Sequence, residues 1–243
     1  MKDSLKWLMA SGIFVTTIFS GGAYALSADG GSITSDADMI YEKNTDITNP
    51  IDPTDPGNEI TPDPDEPRQP GTAGPLSIDF ASNLHFGQQK MSGKQETYYA
   101  KLTQVVETKT GAKKDVPNYV QVTDNRGTNS GWHLTVKQNG QLKNGANVLE
   151  GAQISLLNST LVTLHDGEKP TANALVMLDA ISGDAAEIVN AKNGSGSGTW
   201  ANLFGKDISE AAKSVKLVVP GKTKKVEGSY KTTLTFELID SPA

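Results

Sequence analysis

Trp132-His133-Leu134-Thr135-Val136-Lys137 alternates large apolar with polar side chains, and Thr233-Leu234-Thr235-Phe236-Glu237-Leu238 repeats that pattern near the C-terminus. A period of two places Trp132, Leu134 and Val136 on one face of a strand, and Leu234, Phe236 and Leu238 on one face of another. Working outward, further β-prone runs occupy residues 76–80, 97–106, 119–123, 153–157, 160–164, 175–178 and 215–219. Asn139-Gly140 and Asp166-Gly167 are two-residue hairpin signals, and Pro220-Gly221 closes the run before Tyr230. One short helix is expected at Asp207 to Lys213, after Gly205, with Asp207 or Ser209 as its cap. These signals predict an all-β domain over 76–243, a β-sandwich of immunoglobulin-like or Greek-key type with about eight or nine strands.

The chain has 243 residues, 24 of them Gly and 12 Pro, and no Cys. The missing cysteines exclude disulfide scaffolds, thiolate metal sites, thiol nucleophiles and a lipidated N-terminal cysteine. A net charge of -6 argues against a nucleic-acid partner, but it averages two segments of opposite sign. Residues 26–75 carry eleven acidic side chains against Lys43 and Arg68, and eight of the twelve prolines lie between Pro50 and Pro75. Prolines at that spacing interrupt helix and sheet ladders, and the acidic residues have few apolar neighbours to bury, so 26–75 is expected to be a disordered linker. Residues 76–243 carry 18 Lys and Arg against 16 Asp and Glu, a slightly basic balance.

Met1 to Ala25 begins with Lys2 and Lys6, continues through an apolar run from Leu8 to Phe19, and ends Ala23-Tyr24-Ala25. This is the pattern of a secretory signal peptide cleaved after Ala25, with an apolar core shorter than the ~20 residues of a membrane span. Export of a cysteine-free chain points to a bacterial surface protein. The C-terminus shows neither a hydrophobic tail nor a sortase-type signal, so retention on the cell would rest on non-covalent contacts.

No catalytic motif surrounds the three histidines, His85, His133 and His165, and no serine sits in a nucleophile elbow. Glu150, Asp166, Glu168, Asp179 and Asp184 show no spacing that selects a pair for glycoside hydrolysis. The expectation is a non-enzymatic protein with no cofactor and no metal. Two residues are candidate wall contacts. Arg126 stands at the apex of the Asp124-Asn125-Arg126-Gly127 turn, and Trp200 follows the glycine-rich stretch 194–198.

Val122-Thr123-Asp124-Asn125-Arg126-Gly127 ahead of Trp132-His133-Leu134, Gly198-Thr199-Trp200, and Tyr230 through Pro242 together resemble a WxL-domain cell-surface protein of Gram-positive bacteria. The resemblance spans about residues 75–243, with one departure: Phe236 stands where the family's second motif has Trp. It implies non-covalent attachment to the cell wall, with peptidoglycan as ligand and anionic wall polymers as a further one. It also implies membership of a surface complex with a membrane-anchored WxL-interacting protein and other WxL proteins, and in some members a role in adhesion. The alternative is an adhesin or assembly subunit held at the wall indirectly by a protein partner. Trp132, Leu134, Tyr230, Leu234, Phe236 and Leu238 are the motif residues, and paired apolar side chains on one strand face are expected in the core.

Overall fold

A computed structural model describes residues 31–243, so the expected signal peptide at 1–25 lies outside the described residues. Residues 31–48 contain no strand or helix and are almost all exposed. The strands that follow are β1 (Ile51–Asp52), β2 (Asp55–Pro62), β3 (Leu76–Ala81), β4 (Glu96–Tyr99), β5 (Thr103–Glu107), β6 (Lys113–Val116), β7 (Tyr119–Asp124), β8 (Trp132–Gln138) and β9 (Lys143–Asn144). They continue as β10 (Asn147–Val148), β11 (Gln153–Leu157), β12 (Ser159–Val162), β13 (Thr171–Ala172), β14 (Leu175–Met177), β15 (Ala186–Ala191), β16 (Gly198–Phe204), β17 (Val215–Val219) and β18 (Leu234–Ile239). Among the described residues the one helix, α1 (Ile208–Ala211), stands between β16 and β17, and the Glu210 amide donates to the Asp207 side chain at 2.9 Å as its N-cap.

The chain is all-β, built from antiparallel sheets in the orders β13-β15-β8-β18, β14-β11-β17-β4, β12-β16-β7-β3 and β1-β2-β5-β6, with a small β10-β9 hairpin. There are more strands than the sequence predicts, for two reasons. Several are too short or too polar to show a period, as β9, β10 and β13 are. The run at 97–106 is also two strands: β4 pairs with β17, whereas β5 pairs with β2 and β6, so the chain changes sheets between them.

Trp132, Leu134 and Val136 face a main core shared by three sheets and are each at most 1% exposed. Phe236 lies opposite Val136, and Leu238 opposite Leu134, so the two motif strands present matching apolar faces. β7 is buried on both sides. Val120 and Val122, with Trp200 and Phe204 on β16, enter the main core, while Tyr119, with Ala201 and Leu203, enters a second core.

That second core corrects the linker boundary, because it is closed by Ile51, Ile60, Val105 and Val116 of the β1-β2-β5-β6 sheet. Residues 51–62 are therefore paired strands and not a spacer. Buried Gln121 on β7 fastens them: its Oε1 accepts the Ile51 amide at 2.8 Å, and its Nε2 donates to the Asn49 carbonyl at 3.2 Å and to Asp79 Oδ2 at 2.8 Å. Ion pairs fasten the edge, from Lys114 to Asp52 at 2.5 Å and from Lys113 to Asp63 and Asp65 at 3.0 and 2.7 Å.

Burial opposes ionisation of Asp52, yet hydrogen bonds from Lys114 and Thr54 outweigh it and hold the carboxyl below its ordinary 3.8. The Asp65 amide, then Lys113, does the same for Asp63. A carboxyl depressed in the folded state stabilises the fold above its unfolded value and loses that contribution as pH falls through the folded value. Burial raises Asp79, despite hydrogen bonds from Ser77, Thr123 and Gln121, so its protonation acts in the opposite sense. As pH falls below the ordinary carboxyl value of 3.8, the sheet of residues 51–62 is expected to open ahead of the main core. Hydrogen exchange would show early loss of protection at Ile60 with Leu134 still protected, and simultaneous loss would contradict separate fastening.

Candidate functional site

Register brings the Asp124 turn, Trp132, Trp200 and the end of β18 close together. Ala191 pairs with Trp132, Ile239 with His133, and Gly198 with Asp124, so the loops at 125–131 and 192–197 and the tail at Asp240 and Ser241 lie together. Segment 163–170 joins them: the Gly196 amide donates to the Glu168 carbonyl at 2.9 Å, and the Thr163 hydroxyl to the Thr199 carbonyl at 2.6 Å.

Two buried indoles support the glycine-rich loop from beneath. Trp132 Nε1 donates to the Gly196 carbonyl and Trp200 Nε1 to the Ser197 carbonyl, each at 2.9 Å. Gly196 has φ +79°, and a Cβ there would lie 2.5 Å from the Ala191 methyl and 2.7 Å from Trp132 Nε1, so only glycine lets the loop rest on the ring. The Gly194 amide donates to the Asn129 carbonyl at 2.8 Å, tying this loop to its neighbour.

Arg126 and Trp200, expected as wall contacts, occupy other places. Trp200 is 3% exposed because β16 is covered on both faces, and its ring packs in the main core. Arg126 is 8% exposed; its Nε and Nη2 grip Asp124 in a two-pronged pair at 2.9 and 2.7 Å, and Nη2 also donates to the Gly131 carbonyl at 2.8 Å. Its Nη1 contacts Asp240, which joins the turn to the C-terminal strand. Both side chains shape the loops from inside and present no free face to a polymer.

The other motif residues divide by burial. Trp132 and Leu134 are fully enclosed, whereas Tyr230, Leu234, Phe236 and Leu238 are partly buried against the same core. The histidines are separate: His85 Nε2 lies 2.9 Å from Glu66, His133 Nδ1 lies 2.5 Å from the Ser241 carbonyl, and the His165 ring lies against Gly198. Among the described residues no group of three His, Asp or Glu side chains converges as a metal site.

The loops do offer exposed polar groups. Thr128, Asn129 and Ser130 stand on one, Lys192, Asn193 and Ser197 on another, with His165 and Lys169 beside them. Hydroxyl, amide and ammonium groups on loops held by a rigid frame can hydrogen-bond a hydroxyl- and amide-rich polymer. Single polar loop residues carry no periodic signal, so the marks of this end in the sequence are the glycine-rich run before Trp200 and the Asp124–Gly127 turn.

Among the described residues no helix is long and apolar enough to cross a membrane. Comparison with curated proteins and with solved structures gives no match. A family model described as WxL domain, surface cell wall-binding, matches residues 28–242, so it takes in the acidic segment as well as the two motif strands. The chain belongs to the WxL family of surface cell wall-binding domains.

Proposed function

We propose that this is a secreted, non-enzymatic protein of a Gram-positive bacterium, held non-covalently at the wall by direct contact of its loop end with peptidoglycan. The observation that carries this reading is the family match across nearly the whole chain. The signal-peptide pattern at 1–25 supports export, and the polar loops over Trp132 and Trp200 supply a surface suited to glycan. A place in a complex with a membrane-anchored WxL-interacting protein and other WxL proteins is compatible with that attachment, because it leaves the rest of the surface open.

The test is co-sedimentation of the folded chain with protein-free sacculi, with and without their anionic polymers and across a range of salt. Salt-resistant binding that survives polymer removal is expected. Replacing Thr128, Lys192 and Asn193 together by Ala, all exposed positions, should weaken it by about tenfold or more. Binding lost wherever salt or polymer removal weakens charge would assign the affinity to anionic polymers instead. Retention that requires a second protein would establish indirect attachment.

A further inference from the structure

Arg68 is a second enclosed guanidinium, and it lacks the partners that Arg126 has. Its side chain is 7% exposed, yet Nε, Nη1 and Nη2 make no hydrogen bond among the described residues. The Glu66 carboxylate stands 3.1 Å from Nη2 outside hydrogen-bonding geometry, and its other oxygen lies 2.9 Å from His85 Nε2. A buried guanidinium ordinarily has its donors occupied, because each one left bare has lost its water without replacement. Phe80 holds this one in place: Arg68 Cζ lies 4.6 Å from the ring centre, and the ring stacks on Tyr119 at 4.4 Å in the second core.

Arg68 and Phe80 also line a cavity of about 340 Å³ between residues 47–50 and the segment 62–72. Pro64, Pro67 and Pro70 form an exposed apolar rim, and no strand or helix runs through residues 63–75. A planar, singly charged group with two oxygens matches the guanidinium fork. A phosphate suits the place less well, since Asp63, Glu66 and Asp79 line the same cavity and repel a second negative charge. Those three carboxyls have partners of their own: Lys113 for Asp63, His85 for Glu66, and Ser77, Gln121 and Thr123 for Asp79. Among the described residues Arg68 is thus the cation of this cavity whose donors are uncommitted.

We propose that this cavity binds the free carboxylate end of a peptidoglycan stem peptide, the carboxylate taking the Arg68 donors in place of Glu66 and the small terminal side chain lying against the prolines. Glu66 keeps its hydrogen bond to His85 when it yields. The source of the ligand rests on the wall reading above, whereas its carboxylate chemistry rests on Arg68. Such stem peptides end in a D-amino acid with a small side chain, which fits a cavity of this size. The contact is separate from the loop end, because β3 meets the Asp124 turn at Leu76 and carries Phe80 towards its other end. One molecule would grip the wall twice, by glycan at the loops and by peptide at the outer sheet.

Calorimetric titration of the folded chain with D-alanyl-D-alanine, with its C-terminal amide and with L-alanyl-L-alanine tests this. The free D-acid should bind saturably, and the amide at least about tenfold more weakly. Arg68→Met should weaken binding of the D-acid by as much and keep its urea midpoint, since it removes a buried charge that has no hydrogen bond. The amide comparison uses the unaltered chain, so it decides whether or not that variant folds. No binding of the D-acid, equal binding of acid and amide, or equal binding by a folded Arg68→Met chain would overturn the site. Preference for the L-acid would overturn the wall as its source and point to a protein C-terminus. Failure with the D-acid while the chain still sediments with sacculi would sink this site alone; failure of both would sink the wall reading with it.

Discussion

Trp132→Ala is expected to lower the unfolding free energy by about 3–5 kcal/mol, the cost of emptying a large enclosed site. Trp132 is 1% exposed at the centre of the motif strand, and its Nε1 holds the Gly196 carbonyl. The substitution leaves a cavity against Leu134 and Ala191 and an inward carbonyl without its donor, so the glycine-rich loop should loosen as well. Trp132→Phe separates the two effects: the ring still fills most of the space, and losing the donor should cost about 1 kcal/mol. Urea unfolding of the three proteins measures both. Lost wall binding in the Ala variant would then report a damaged frame. Unchanged stability together with lost binding would instead make Trp132 a contact residue.

Arg126→Met is the second large effect, expected at about 3–5 kcal/mol, because it leaves the Asp124 carboxylate buried without its cation. The guanidinium also anchors the Gly131 carbonyl and Asp240, so turn and C-terminal tail should be freed together. Arg126→Lys should rescue little, since an ammonium cannot reproduce the two-pronged grip. Arg126→Met with Asp124→Leu should recover part of the loss, because no unpaired charge remains. Chemical denaturation gives all three values. A stable Arg126→Met protein that no longer binds wall would return Arg126 to the contact surface.

The architecture was legible where side chains alternate and opaque where tertiary contacts decide. β8 and β18 show their buried faces outright, and Asp207 announces the cap of α1. Residues 51–62 do not, because two isoleucines among prolines and carboxylates predict solvent until Gln121, Lys113 and Lys114 supply partners from distant strands. Asn139-Gly140 is a bend whose glycine has φ +91°, and β8 pairs with β15 and β18, not with the following β9. Asp166-Gly167 likewise separates strands of different sheets.

The candidate site divides the same way. Neighbouring glycines suggested an exposed Trp200 and a turn apex suggested an exposed Arg126. Both inferences rest on local sequence, whereas burial is set by the two cores that cover opposite faces of β16 and by Asp124 and Asp240 around the guanidinium. The motif residues define a frame, and the groups it presents, Thr128, Lys192 and Asn193, lie between them.

The wall-reading surface proposed for this protein lies at the loop end of this frame. The direct measurement is a residue-resolved NMR titration of the folded chain with soluble peptidoglycan fragments. Shifts concentrated at 127–131, 165–169 and 192–197 are the predicted result. Saturable binding with those loops unperturbed, or no binding by a chain shown to be folded, would contradict it.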